Sequence, residues 1–440
     1  MFIASTMSLS GGNPQSQFLG FVVTEFEARL KSCPKRNALG MESRRQAAAR
    51  ENHRQIGVFE RAPNLAALVF VTGLVLGITS LTAHAGELSG LAYTNSRVAD
   101  VPWSIHVVQL DRSDRDYEIQ SFHTQGGAVG LDTLSGELAT LKPPLGPPVA
   151  AINGDYYQRD KAYAGAPRGL QIMNGELLSA PSGGGMFWMD ASGEPQVDEV
   201  TSQFQVTWPD GTVKTFGLNG ERPADGIELY TRAVGPSTLT QGGCELILDR
   251  SPGGSWLPLH VGRTCVARIR EIRETGDTPL ATNVMVLSLG PAYSGRRPSG
   301  LQVGAVLHLS TTTVPDLRGC RTAIGGGPVL IRKGKRVRLN LPDSESYQIS
   351  SMSERHPRAA IGWNAKSFFL VVVDGRQKKL SVGMTLEELA NLLVKLGCEE
   401  AMNFDGGGSA TLWFDGEVRN SPCDRMEREI ANCLVIVRKK

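Results

Sequence analysis

The chain lacks the features that mark several common chemistries. Its 440 residues include seven cysteines but no C-x-x-C pair, so nothing prescribes a structural zinc site. Neither an H-E-x-x-H helix nor an EF-hand loop occurs, and the seven histidines show no ligand spacing. No metal site is therefore expected. A glycine run at Gly406–Gly408 has no lysine after it and leads into a strand-like segment, which excludes a phosphate-binding P-loop. A nucleophile elbow needs G-x-S-x-G, and Thr411 stands where the second glycine of Gly407-x-Ser409 would have to be. No fixed-period repeat is present, which argues against a solenoid. There is no N-x-S/T sequon, in keeping with a bacterial source.

Strong net charge is missing too. The formal balance is +2, and residues 1–85 hold 9 of the 46 Lys+Arg and 5 of the 44 Asp+Glu, leaving 37 basic against 39 acidic residues. The slight basicity belongs to the leader, so a nucleic-acid partner is not expected. Only one long apolar run occurs, Leu65 to Leu81, preceded by an Arg-rich segment and followed by Ala83, His84 and Ala85. Basic, apolar and small-x-small regions in that order describe a secretory signal with cleavage before Gly86. The alternative is an uncleaved anchor, the only membrane contact expected. Met41 would open a leader of more usual length, making residues 1–40 a mis-assigned start. The expected localisation is secreted or periplasmic.

Without Cys33, six cysteines remain. An even number in an exported chain permits disulfides, and six allow 15 pairings. The pairs expected here are Cys423–Cys433 and Cys244–Cys265, with buried free thiols as the other outcome.

With 50 Gly and 24 Pro, short strands should outnumber long helices. The expected fold class is mixed α+β or α/β: a β-rich domain with a mixed sheet and few helices. Residues 86–148 read as an N-terminal β-rich region and 149–440 as a second domain, with KPPLGPP (142–148) as a rigid connection. Asn174-Gly175 and Asp210-Gly211 mark hairpin turns. One helix is clearly written. Thr385 and Glu388 form a capping box, Leu386, Leu389, Leu392, Leu393 and Leu396 recur at helical spacing, and Gly397 ends the run. The strand-like KSFFLVVVD before it and EEAMNF after it predict a parallel crossover unit. Asp405 then lies just beyond the C-terminal end of a strand, where α/β sheets commonly present ligands.

Three glycine-marked corners stand out: AAINGDYY (150–157), AIGGGPVLI (323–331) and NFDGGGSATL (403–412). A fourth segment, SERHPRAAIG (353–362), concentrates charge. Each is read either as an ordinary turn or as a site wall, and Asp405 either carries chemistry or braces its turn. Taken in order, the four resemble the phosphodiester glycosidase family over about residues 149–437. Bacterial members of that family are often labelled exopolysaccharide biosynthesis proteins. Members usually carry R-T-A-I-G where this chain has Arg358-Ala359-Ala360-Ile361-Gly362, and often Leu where Phe404 stands.

The resemblance implies a hydrolase that removes an N-acetylglucosamine-like sugar from an α-glycosyl phosphodiester. A non-catalytic glycan-binding or exopolysaccharide-assembly protein is the alternative. Cleavage at an anomeric carbon develops oxocarbenium character, which a carboxylate can stabilise or attack. Asp405 suits that role, Arg358 suits the anionic diester, and His356 and Glu354 complete the catalytic candidates. Asn153, Asp155, Gly326, Gly327, Asn403, Gly406, Gly407, Gly408 and Ser409 are the substrate-binding candidates. No cofactor is expected, and no pattern indicates a divalent cation.

Overall fold

A computed structural model describes residues 85–88, 90–98, 100–159, 162–252, 256–293, 297–339 and 351–440. The apolar run, Met41, Cys33 and most of the leader lie outside them. Among the described residues no helix is long and apolar enough to cross a membrane.

The chain is β-rich with few helices. An eight-stranded sheet runs in the order Ala85–Leu88, Leu91–Val98, Trp103–Asp111, Ser367–Val373, Arg358–Trp363, Glu400–Asn403, Val329–Arg332, Lys335–Arg336. A five-stranded sheet runs Glu417–Val418, Leu412–Phe414, Pro148–Asn153, Asn432–Arg438, Tyr117–His123. Strands before and after the 142–148 segment thus share both sheets. Their facing sides close over one apolar core that includes Ile152, Ile361, Phe404, Leu412 and Leu434. A third, twelve-stranded sheet is built from segments between Gln171 and Gly325 and encloses its own core around Val206, Leu246, Leu287 and Leu309. The pairing of Gly217–Leu218 with Ile227–Tyr230 is parallel, which makes this sheet mixed.

The local signals in the sequence correspond to what forms. Asn174 and Gly175 both take positive φ, 49° and 85°, between Gln171–Met173 and Glu176–Ser179. Gly211, at φ 83°, turns the chain between Pro195–Thr207 and Val213–Thr215. The helix Leu386–Lys395 carries the complete capping box of Thr385 and Glu388. Its apolar face, Leu386, Leu389 and Leu393, packs with Val371, Ala401 and Leu330 on the outer side of the eight-stranded sheet.

The crossover differs in one respect. Ser367–Val373 and Glu400–Asn403 are both antiparallel to Arg358–Trp363, which lies between them. They are therefore parallel to each other but not neighbours. Arg358–Trp363 is buried throughout and pairs on both edges, so it occupies the place the helix would otherwise cross directly.

The expected disulfides are not formed: all six described cysteines are free, and five are buried. Cys244 and Cys265 sit on paired strands as apolar core residues. Cys433 lies inside the strand Asn432–Arg438, where it packs beside the buried Glu137, whereas Cys423 belongs to a half-buried loop next to Asp424. Burial pushes the Cys320 and Cys398 thiols up to about 12, which suppresses the thiolate that oxidation requires. Alkylation of denatured, unreduced protein should modify all six; a mass deficit of two hydrogens at any pair would contradict this arrangement.

Candidate functional site

The segment NFDGGGS crosses from the eight-stranded sheet to the five-stranded one, and the other three singled-out segments meet it there. Asp405 donates its N–H to the Gly154 carbonyl at 2.9 Å, and Asn153 Nδ2 donates to the Asp405 carbonyl at 2.7 Å. Gly327 N–H donates to the Asn403 carbonyl at 2.7 Å, and Asn403 Nδ2 donates to the Gly327 carbonyl at 3.0 Å. Gly407 N–H donates to the Pro357 carbonyl at 2.9 Å. Four stretches separated by as much as 250 residues thus form a single junction.

The glycines serve this junction. A Cβ on Gly406 would stand 2.6 Å from the Pro357 carbonyl oxygen, and one on Gly408 would overlap the Arg428 guanidinium and the Asp424 carboxylate. Gly407 turns the chain at φ 61°.

In front of the junction opens a cleft of about 880 Å³. Asp405, Gly406, Gly407, His356 and Arg358 line it, together with Tyr156 and the arginines Arg159, Arg168, Arg376 and Arg428. Burial pushes the Asp405 carboxyl above its ordinary range, opposed by the Ser409 hydroxyl, the Gly406 N–H and the positive charges of Arg159 and Arg428. Gly406 N–H donates to Oδ1 at 2.9 Å. The Ser409 hydroxyl, fully buried beside this carboxylate, makes no hydrogen bond of ordinary geometry.

The other candidates stand behind the lining. Asn153 is spent on the backbone: its Oδ1 accepts from the Thr411 N–H at 3.1 Å. Asn403 donates to Tyr156 Oη at 3.1 Å as well as to Gly327, while its buried Oδ1 has no partner among the described residues. Gly326 packs tightly against the Asn403 carbonyl and the Phe404 ring. These residues, with Gly327, Gly408 and Ser409, brace the corner and do not face the cleft. The Asn153 side chain and the Asn403 Nδ2 satisfy backbone atoms that the sharp crossing would otherwise leave buried and unpaired.

Asp155 is buried as well. Its Oδ2 accepts from the Gly169 N–H at 2.6 Å. Burial raises its carboxyl to about 7, the Gly169 and Tyr156 N–H groups oppose this, and the charge of Asp405 raises it further. A folded-state pKa above the unfolded one gives stability that is full below about pH 4 and lost as pH rises through about 7. Asp155→Asn removes that dependence. Its melting temperature minus that of the unsubstituted protein should grow between pH 4.5 and pH 8, by at most about 4 kcal/mol in stability. A difference that stays constant with pH would show that Asp155 is ionised throughout.

Arg358 differs from its expected role. Its guanidinium is buried; Nε donates to the Met384 carbonyl at 2.7 Å, and Nη2 to the carbonyls of Ser351 and Glu354 at 2.7 and 2.9 Å. A two-pronged grip on a diester through Nε and Nη2 is therefore not on offer. Glu354 is exposed outside the cleft lining, its carboxylate 3.6 Å from His356 Nε2. His356 itself reaches the cleft, with Nδ1 3.4 Å from Arg376 Nη2. Ala359 faces the apolar core, so the hydroxyl carried there by family members would have no place in the cleft.

Sequence reasoning did not single out Tyr156, Arg159, Arg168, Arg376 or Arg428. Tyr156 was within reach, because it belongs to the NGDYY corner. Its phenol is pushed well up by burial and by Asp405, so it remains a neutral donor and acceptor. The arginines lie in loops without periodicity, and no local signal distinguishes them. Among the described residues no group of three or more His, Cys, Asp and Glu could hold a metal ion.

Residues 265–437 match the family model described as phosphodiester glycosidase. Over this stretch the chain is similar to the phosphodiester glycosidase family. The stretch contains Arg358, His356 and Asp405, whereas Asp155, Tyr156 and Arg159 precede it. Among curated relatives, the N-acetylglucosamine-1-phosphodiester alpha-N-acetylglucosaminidase of Bos taurus is 23% identical over 227 residues, 50% of this chain and 41% of that protein. The SPbeta prophage-derived uncharacterized protein YomE of Bacillus subtilis is 33% identical over 88 residues, 20% of this chain and 14% of that one. The chain thus spans less than half the length of either relative. The fold is shared with a hypothetical protein from Synechocystis, at TM-score 0.64 and 19% identity over 80% of this chain and 62% of that one. It is shared also with a Burkholderia pseudomallei protein described as exported, at TM-score 0.59 and 20% identity over 76% and 74% of the two chains.

Proposed function

We propose that this protein is an exported hydrolase that releases an N-acetylglucosamine-like sugar from an α-glycosyl phosphodiester. The observation that carries this reading is a single desolvated carboxylate, Asp405, in a cleft lined by five arginines. A neutral glycoside would have no use for so many cations, whereas a phosphodiester is anionic throughout the physiological range.

In the reaction the bond between the anomeric carbon and the phosphate oxygen breaks, and its electron pair leaves with the oxygen as a phosphomonoester. Water supplies the hydroxyl that takes its place, and its remaining proton passes to solvent or to the departing phosphate. Asp405 faces the anomeric carbon in its ionised form and stabilises or captures the developing positive charge. Phosphate is already a good leaving group, so the demand for a strong general acid is small. Arg376 and His356 neutralise the charge gathering on the departing oxygen. Activity should fall towards acid pH, because burial raises the Asp405 pKa above its ordinary value and protonation removes the charge the reaction uses.

Release of free N-acetylglucosamine from its synthetic 1-phosphate methyl diester tests this directly. Binding of the same compound without turnover would favour a glycan-binding or exopolysaccharide-assembly role instead.

A further inference from the structure

The arginines of the cleft fall into two groups that are held differently. Arg358 is tied to three carbonyls, Arg428 is paired with Asp424 at 2.5 Å, and Arg376 lies beside His356 and over Gly407. These three are anchored around the Asp405 turn. Arg159 and Arg168 are different: both are exposed and both come from the loop that follows the strand Pro148–Asn153. Neither side chain makes an ion pair or a hydrogen bond among the described residues, and Arg159 only stacks over the Tyr157 ring at 5.7 Å.

Charge arithmetic sharpens the contrast. Five arginines line the cleft against two carboxylates, Asp405 and Glu221. A glycosyl phosphodiester brings one negative charge, so the cleft lining stays net positive after it binds. Two further guanidiniums, Arg159 within electrostatic reach of Asp405 and Arg168 within reach of Asp155, are solvated in the same cleft and held by no ion pair of their own among the described residues. Exposed arginines cost nothing to keep in water, but their convergence on one cleft raises the local potential and selects anionic ligands.

From this we infer that the substrate carries a second anionic group on its leaving-group side, a phosphate or a carboxylate, which Arg159 and Arg168 engage. The inference rests on the hydrolase reading above. It narrows the substrate class to glycosyl phosphodiesters whose aglycone is itself charged.

Three synthetic substrates separate the outcomes: N-acetylglucosamine 1-phosphate joined to methanol, to glycerol 3-phosphate, and to glyceric acid. At low ionic strength at least one of the doubly charged diesters should be cleaved with a kcat/KM about tenfold or more above that of the methyl diester. Which one gains tells phosphate from carboxylate. The advantage should shrink at high salt, where exposed charges are screened. In the Arg159→Gln/Arg168→Gln double variant the ratio of charged to methyl diester should fall towards one. Equal rates for all three substrates, or a ratio that survives the double substitution, would overturn the second-anion site while leaving the hydrolase intact. Cleavage of none of them would remove the hydrolase reading and this inference with it.

Discussion

Asp405→Asn should lower turnover on a glycosyl phosphodiester about a thousandfold, roughly 4 kcal/mol in barrier, with little loss of stability. The amide keeps the shape of the carboxylate, and its oxygen can still accept from the Gly406 N–H. The main-chain bonds that fix the turn, to Gly154 and from Asn153, do not involve the side chain. What disappears is the negative charge in the cleft. Because burial already disfavours that charge, the variant should melt at the same temperature or slightly higher. Rate and melting temperature measured on one sample separate the two readings of this residue. A variant that melts early and turns over at full rate would make Asp405 only a brace.

Arg358→Ala should destabilise the protein by roughly 3 kcal/mol or more, one of the largest effects expected of a single polar residue here. The guanidinium fork ties the segment 351–354 to Met384, next to the N-terminal cap of the helix Leu386–Lys395. Removing it leaves the Ser351 and Glu354 carbonyls to find other donors, while the Met384 carbonyl keeps the His356 N–H. Arg358→Lys should recover only part of the loss, because one ammonium cannot reproduce a planar fork. Denaturant unfolding and limited proteolysis near residue 351 report the effect. Wild-type stability in the Lys variant, together with lost activity, would instead place Arg358 on the substrate. Nε and Nη2 of Arg358 thus hold backbone carbonyls, where the sequence suggested a grip on an anionic diester.

Local chemistry was readable wherever a few adjacent residues decide the outcome. Thr385 and Glu388 start a helix because both cap bonds lie within one turn, and Asn174-Gly175 makes a hairpin because both residues tolerate positive φ. The four singled-out segments were readable as corners for the same reason, since glycines and short polar side chains have local geometric uses. Their meeting was not. The bond from Asn153 to Asp405 spans 252 positions, and no period or spacing records it.

The cleft shows the same division. Asp405, His356 and Arg358 stand in segments whose composition marks them out, and all three line the cleft, Arg358 with its guanidinium tied to backbone carbonyls. Asn153, Asn403 and Asp155 look equally polar in sequence, yet the crossing between sheets turns them inward, where unpaired backbone groups consume them.

What the amino-acid order determined by itself is therefore the β-rich class, the capped helix Leu386–Lys395, the hairpins and the identity of the corners. Only the tertiary structure decided which corner residues face solvent, which of five scattered arginines share one cleft, and that six cysteines stay apart as thiols. The physical reason is range. Turns and caps are settled by bonds between residues a few positions apart, whereas a cleft is settled by sheet packing that brings loops together from across the chain.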